Sequence, residues 1–189
     1  MTRSGRLYRD GIAAFALLAL IALFAAILNN RPQAILSCDF NVVDGDSLLR
    51  NGKRLRLLGI DAPEYRQQCE RDGGAWPCGQ QARALLVKLL QGGSAECRGS
   101  DHDRSGRLLV TCRMSGADLN GEMVGWGMAV SFGSYRSEEN EARVTKAGMW
   151  AGSFERPQEF RCEQEVQRAQ GSDPLKKAAD FIRHLAGWH

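Results

Sequence analysis

A chain of 189 residues has room for one domain with appendages, and its 25 Lys and Arg against 22 Asp and Glu leave a formal charge of only +3. Arg3, Arg6 and Arg9 fall among the first 28 residues with only Asp10 against them, so the remainder is close to neutral. That excludes a global electrostatic hold on a polyanion; any phosphate binding has to come from local placement of arginines.

Gly11–Leu28 (GIAAFALLALIALFAAIL) is an uncharged stretch. As a helix it would run about 27 Å, against a hydrocarbon core of about 30 Å. The basic amino side predicts an amino terminus in the cytoplasm and an exported remainder. Two outcomes stand: an inner-membrane anchor with the domain facing the periplasm or exterior, which the length favours, or a cleaved signal peptide and a secreted domain. Residues 29–37, with Pro32, read as a polar linker.

The informative stretch is Val42–Glu64, VVDGDSLLRNGKRLRLLGIDAPE. Asn51-Gly52 between two apolar-alternating runs predicts a two-residue hairpin turn, since both turn residues need positive φ. Arg50 then pairs with Lys53 and Ser47 with Arg56, which brings Arg56 beside the Asp44-Gly45-Asp46-Ser47 corner. The returning strand ends at Asp61-Ala62-Pro63-Glu64, where Pro63 cannot continue a ladder. Asp46, Asp61 and Glu64 are thereby expected close together, with Arg56 alongside. Three converging carboxylates repel unless a positive group sits between them, and a hard, oxygen-bound divalent cation answers that need economically.

Tyr65–Cys78 reads as a loop, Gly79–Leu90 as a helix with Ala82, Leu85, Leu86 and Leu89 on its core face, and Ser94–Arg98 and Arg107–Arg113 as strands around a polar loop. Asp118–Gly127 is a short helix weakened by Gly121 and Gly125. Ser137–Trp150 is the next, with Ser137 as its cap. Beyond residue 155, Asp173-Pro174 starts an amphipathic helix in the extension 156–189. Six cysteines on the exported side suggest disulfides, although they allow fifteen connectivities. Cys69 and Cys78 flank a Gly-rich insertion, and Cys97 and Cys112 lie symmetrically about Arg104-Ser105. Cys38 and Cys162 remain to tie the ends of the domain.

The sequence DGDS–hairpin–RLLGIDAPE, continued by Asp103-Arg104-Ser105-Gly106-Arg107, resembles the staphylococcal nuclease (thermonuclease) family over roughly residues 38–155. The resemblance implies an α+β, mainly β, fold: a five-stranded OB-fold barrel with three helices, here preceded by one amino-terminal transmembrane or signal helix. It further implies a Ca²⁺-dependent phosphodiesterase, an endonuclease cutting DNA and RNA with little sequence specificity and acting as a monomer. Asp46, Asp61 and the main-chain carbonyl of Ala62 would hold Ca²⁺, with Asp44 in support. Glu64 would orient or deprotonate the attacking water, while Arg56 and Arg107 grip the phosphate; Arg104 and Tyr135 would contact nucleotide. The chain departs from the family where Ala62 replaces a threonine, where Arg104-Ser105 replaces Lys-Tyr, and where Gly133 replaces one of two stacking tyrosines. Two alternatives are a catalytically silent binding module and an envelope or exopolysaccharide-associated protein. Silent family members lose the acidic and arginine residues that this chain keeps, and no sugar-binding aromatic cluster is visible in the sequence.

Overall fold

The structure, a computed structural model, describes residues 3–29, 34–37, 40–91 and 93–171. The chain divides into two compact units, Met1–Ala34 and Ile35–His189. The first holds helix α1 (Arg3–Asn29), which covers the apolar stretch expected to be helical. Its described side chains, residues 11–26, are exposed throughout. Among the described residues no helix is long and apolar enough to cross a membrane.

The second unit is a mixed α+β fold around a curled β half-barrel. Its strands are β1 (Ala34–Ser37), β2 (Asn41–Val42), β3 (Ser47–Arg50), β4 (Lys53–Leu57), β5 (Ile60–Asp61), β6 (Cys69–Arg71), β7 (Gly74–Trp76), β8 (Glu96–Gly99), β9 (Leu108–Met114), β10 (Ala117–Asp118) and β11 (Val130–Ser131). The main sheet runs β1-β8-β9-β4-β3-β2, with β10 added on β9. Strands β5 and β11 form a separate pair, as do β6 and β7. The main sheet thus has seven strands, with two short ladders beside it.

The hairpin forms in the expected register: Ser47 opposite Arg56 and Arg50 opposite Lys53. Asn51 and Gly52 both take positive φ, 47° and 74°, as a turn matching the strand twist requires. Strand β4 then pairs in parallel with β9, Leu55–Leu57 against Leu108–Val110. Leu48, Leu55, Leu57, Ile60 and Val110 turn inward onto Ala82 and Leu86 of α2 (Cys78–Leu89) and onto Leu119, Met123 and Val124 of α3 (Leu119–Gly125). Cys97 and Cys112 face each other across β8–β9 and are bonded within this core.

The expected helix Ser137–Trp150 is corrected to α4 (Arg136–Val144) and a 3-10 turn, Gly148–Ala151. Lys146 and Gly148 take positive φ between them, and a Cβ at Gly148 would stand 2.4 Å from the carbonyl oxygen of Gly127. The close crossing breaks the helix and lets Met149 join a smaller cluster with Cys69, Cys78 and Val130. Ser137 is not the cap; Tyr135 holds that position, in the left-handed region, without a side-chain cap bond.

The expected loop Tyr65–Cys78 contains the β6–β7 hairpin, closed by the Cys69–Cys78 disulfide. The third expected disulfide is corrected: Cys162 carries a free, exposed thiol, and Cys38 lies outside the described residues. Cys162 sits on α5 (Pro157–Gly171), a helix within the expected extension; the helix expected after Asp173 lies outside the described residues.

Buried Asn120 fastens α3 to the sheet. Its Oδ1 accepts from the Cys112 amide at 3.1 Å, and its Nδ2 donates to the Leu58 and Val110 carbonyls at 2.9 and 3.1 Å. Asn120→Ala removes all three bonds, although the Val110 carbonyl keeps the Leu58 amide at 2.8 Å, and is expected to destabilise the fold by on the order of 2 kcal/mol, read from urea unfolding.

Candidate active site

The site is built where β3, β4 and β5 end. At the corner before β3, the Asp44 carboxylate accepts the Asp46 amide at 3.1 Å, which bends the chain and turns Asp46 inward. Asp46 is 4% exposed, and its Oδ1 and Oδ2 accept from the Ser47 hydroxyl at 3.0 Å and the Ala62 amide at 3.2 Å. Asp61, at the end of β5, is 3% exposed. Arg56 reaches both from β4: its Nη2 lies 2.8 Å from Asp46 Oδ2 and 2.6 Å from Asp61 Oδ1. The hairpin register therefore delivers one guanidinium nitrogen to two buried carboxylates.

Burial pushes the Asp46 carboxyl up to about 7. Arg56 and the Ala62 amide oppose the rise, while the nearby charges of Asp44 and Asp61 add to it. One guanidinium shared by two carboxylates does not offset the loss of water around Asp46.

Glu64 follows on the same loop and is held by its neighbours. Its amide donates to Gln67 Oε1 at 3.2 Å. A Cβ at Gly79 would lie 1.8 Å from the Glu64 carbonyl oxygen, so only glycine lets the start of α2 approach this loop so closely. The Glu64 carboxylate meets Arg161 of α5: Arg161 Nη1 lies 3.0 Å from Glu64 Oε1 and 3.0 Å from Asp61 Oδ1, and Nη2 lies 3.0 Å from Asp61 Oδ2. Burial works against charge on Arg161, but the hydrogen bonds and charges of Asp61 and Glu64 outweigh it and hold the guanidinium more firmly protonated than usual.

Opposite, the polar loop carries Arg107. Its Nε donates to Asp103 Oδ2 at 2.6 Å, while Asp103 Oδ1 accepts the Ser105 and Arg107 amides, each at 2.9 Å. Burial alone would raise Asp103, yet the Arg107 amide and guanidinium hold it below the usual carboxylate range. Asp44, Arg56, Glu64, Arg104, Arg107, Phe132 and Arg161 face a common cleft of about 480 Å³. Asp46 and Asp61 are not on its walls; they lie buried beneath Arg56 and Arg161.

Of the residues expected at the site, Asp44, Asp46, Arg56, Asp61, Ala62, Glu64, Arg104 and Arg107 are gathered here. Tyr135 is not: its ring packs on Gly59 and Gly121, its hydroxyl donates to Asp118 at 3.0 Å, and it is absent from the cleft walls. Exposed Phe132 supplies the aromatic face of the cleft instead. Arg161 and Asp103 were not foreseen either. In the structure Pro157, Phe160, Arg161 and Gln164 form the covered stripe of α5, too mixed in chemistry to give an apolar period in the sequence.

Among the described residues no group of three or more His, Cys, Asp or Glu side chains is arranged as a ready-made metal cage. The donor chemistry nevertheless fits a hard cation. Asp46 and Asp61 offer only oxygen, they are buried, and both already lie against one positively charged nitrogen.

The chain matches the family model described as "Staphylococcal nuclease homologue" over residues 54–152. It is 34% identical over 118 residues to the succinoglycan biosynthesis protein ExoI of Rhizobium meliloti (strain 1021), covering 58% of this chain and 62% of that protein. It is 32% identical over 153 residues to the probable staphylococcal-like nuclease CAN2 of Oryza sativa subsp. japonica, covering 76% of this chain and 38% of that one. An uncharacterized endonuclease of Escherichia coli O157:H7 is 31% identical over 121 residues, which is 58% of this chain and 73% of that protein. The chain thus spans less than two thirds of the length of the first two.

In metal-free protein, Asp46 stays protonated up to about pH 7 when folded, whereas the unfolded chain releases that proton near 3.8. Its contribution to stability is therefore full below about pH 4 and is lost as pH rises through about 7. Melting curves in chelator are expected to record this decline, and Asp46→Asn to flatten it.

Proposed function

This chain belongs to the staphylococcal nuclease family, and from that premise we propose that it is a Ca²⁺-dependent endonuclease. Its substrates would be the phosphodiester bonds of DNA and RNA, cut with little sequence specificity. The observation that carries this reading is the gathering of Asp46 and Asp61 on Arg56, with Glu64 and Arg107 on the same cleft. The half-barrel with α2, α3 and α4 is taken as the family's five-stranded OB-fold barrel and three helices, spanning residues 38–155.

Phosphodiester hydrolysis needs a positioned water, neutralised phosphate oxygens and a stabilised leaving oxygen. Ca²⁺ would be held by Asp46, Asp61 and the Ala62 carbonyl, and when bound it supplies Lewis-acid polarisation of the phosphoryl group. Glu64 is the carboxylate that reaches the cleft, the position from which a side chain can take a proton from water. Arg56 and Arg107 bring two planar guanidinium forks to that cleft, suited to equatorial phosphate oxygens as their charge grows. Asp103 keeps Arg107 aimed by holding both its amide and its Nε. Phe132 offers a stacking face for a base, an interaction worth about 1–3 kcal/mol; Arg104 adds charge at the rim.

Export is part of the proposal. Two disulfides suit an oxidising compartment, and α1 would serve as signal anchor or cleaved signal, leaving a monomer in the periplasm, at the membrane or outside the cell. The succinoglycan name belongs to the Rhizobium relative; here the cleft walls carry one aromatic residue, Phe132, which gives a sugar chain little to stack on.

Glu64→Gln is expected to abolish cleavage of DNA while leaving melting temperature and nucleotide binding close to those of the parent. Cleavage at the parent rate would remove Glu64 from its role. Arg56→Ala or Arg107→Ala is expected to lower the rate by on the order of 10³-fold. A DNA zymogram run with Ca²⁺ and then with chelator tests the cation requirement directly.

A further inference from the structure

We infer that Arg161 is a positioning residue that stands in for the cation: α5 latches the site by laying a guanidinium across Asp61 and Glu64, and a divalent cation enters by displacing it. The inference rests on the nuclease reading above, but it concerns residues outside the span that matches the family model, 54–152.

Three observations carry it. The first is where the guanidinium sits. Arg161 engages both oxygens of Asp61 and one of Glu64, each at 3.0 Å. Asp61 Oδ1 is also held by Arg56 at 2.6 Å, so both Asp61 oxygens are engaged by guanidinium groups. A divalent cation seeking those oxygens meets a positive charge within a few ångströms of its own position, and the two exclude each other.

The second is the state of Glu64. Its Oε1, an atom that would otherwise be open to the attacking water, already accepts from Arg161 Nη1 at 3.0 Å. With Arg161 in place, the residue assigned to the attacking water is occupied. Release of Asp61 and release of Glu64 are the same event, because Nη1 bridges both.

The third is how α5 is delivered. Glu70 and Ser153 exchange backbone hydrogen bonds at 2.9 and 3.0 Å, tying the chain after the 3-10 turn to β6 of the stapled hairpin. Gln67, 1% exposed, then donates Nε2 to the Glu155 carbonyl at 2.7 Å, while its Oε1 accepts the Glu64 amide. The loop bearing Glu64 and the entry to α5 therefore share one buried side chain. Arg161 comes one turn later, and its charge is directed by this framework rather than by the surface.

The test is Ca²⁺ binding to the full chain without nucleic acid, by titration calorimetry, on the parent, R161Q, R161K and D61N. R161Q is expected to bind Ca²⁺ at least about tenfold more tightly, the scale of one or two charge-assisted bonds no longer to be broken. R161K keeps the charge but cannot span both Asp61 oxygens, and should fall between. R161Q should also melt below the parent in chelator and no lower than the parent in saturating Ca²⁺. A merely structural arginine would lower both melting temperatures and weaken Ca²⁺ binding. Unchanged or weaker binding by R161Q, with D61N losing it, overturns the latch and leaves the nuclease reading intact. D61N binding Ca²⁺ like the parent, or no binding by any of the four, overturns both.

Discussion

Two carboxylates that have lost their water cannot both stay charged without a cation between them, and that constraint organises the open end of the half-barrel. Burying an ion costs several kcal/mol even after relaxation. Here the cost falls on Asp46 and Asp61 together, and Arg56 Nη2 is the group that answers both. The answer depends on register. Ser47 opposite Arg56 places the arginine on the inner face beside Asp46, and a slip of one residue would send it outward and leave Asp46 without its guanidinium partner. A turn made of Asn51 and Gly52 at the far end of the hairpin thus governs the electrostatics at the near end.

The remaining structure can be read as a means of holding the other charges in range of that pair. Gly79 lets α2 press against the backbone of Glu64. Asp103 binds Arg107 through main chain and side chain alike, so the arginine points from a closed loop and not from a free strand end. The stapled β6–β7 hairpin, which interrupts the chain between Glu64 and α2, is a bracket as well as a cover: β6 and Gln67 grip the segment leading into α5. Local arrangements with small energies of their own become consequential because they act on one charge cluster.

What could be read in the sequence is what local chemistry decides. Asn51-Gly52, the alternation in β3 and β4 and the proline at 63 each act within a few residues, and they suffice to predict the pairing of Arg56 with the acidic corner. Cys97 and Cys112 were legible because a hairpin places symmetric positions opposite each other. Arg161 was not, because nothing near it in sequence says that residues 157–171 return to the site; that return is set by Gln67 and Ser153, far away in the chain. Tyr135 departs from its expected place for a local reason. The family resemblance implied a nucleotide contact for it, but the left-handed backbone at that position turns its ring onto Gly59 and Gly121. The break after Val144 arose from a crossing with Gly127 that helical periodicity does not encode.

The parallel seam between β4 and β9 has a temporal side. Hairpins close quickly because their strands are neighbours in sequence, whereas Leu55 must wait for Leu108, after α2 and β8 have been laid down. Arg56 and Arg107 flank that seam, so they come to face one another only when the slowest piece of topology is complete. A chain still stretched or half-wound has its hairpin and its acidic corner but no opposing jaw. On the nuclease reading, such a protein is harmless to the nucleic acid of its maker until folding is finished.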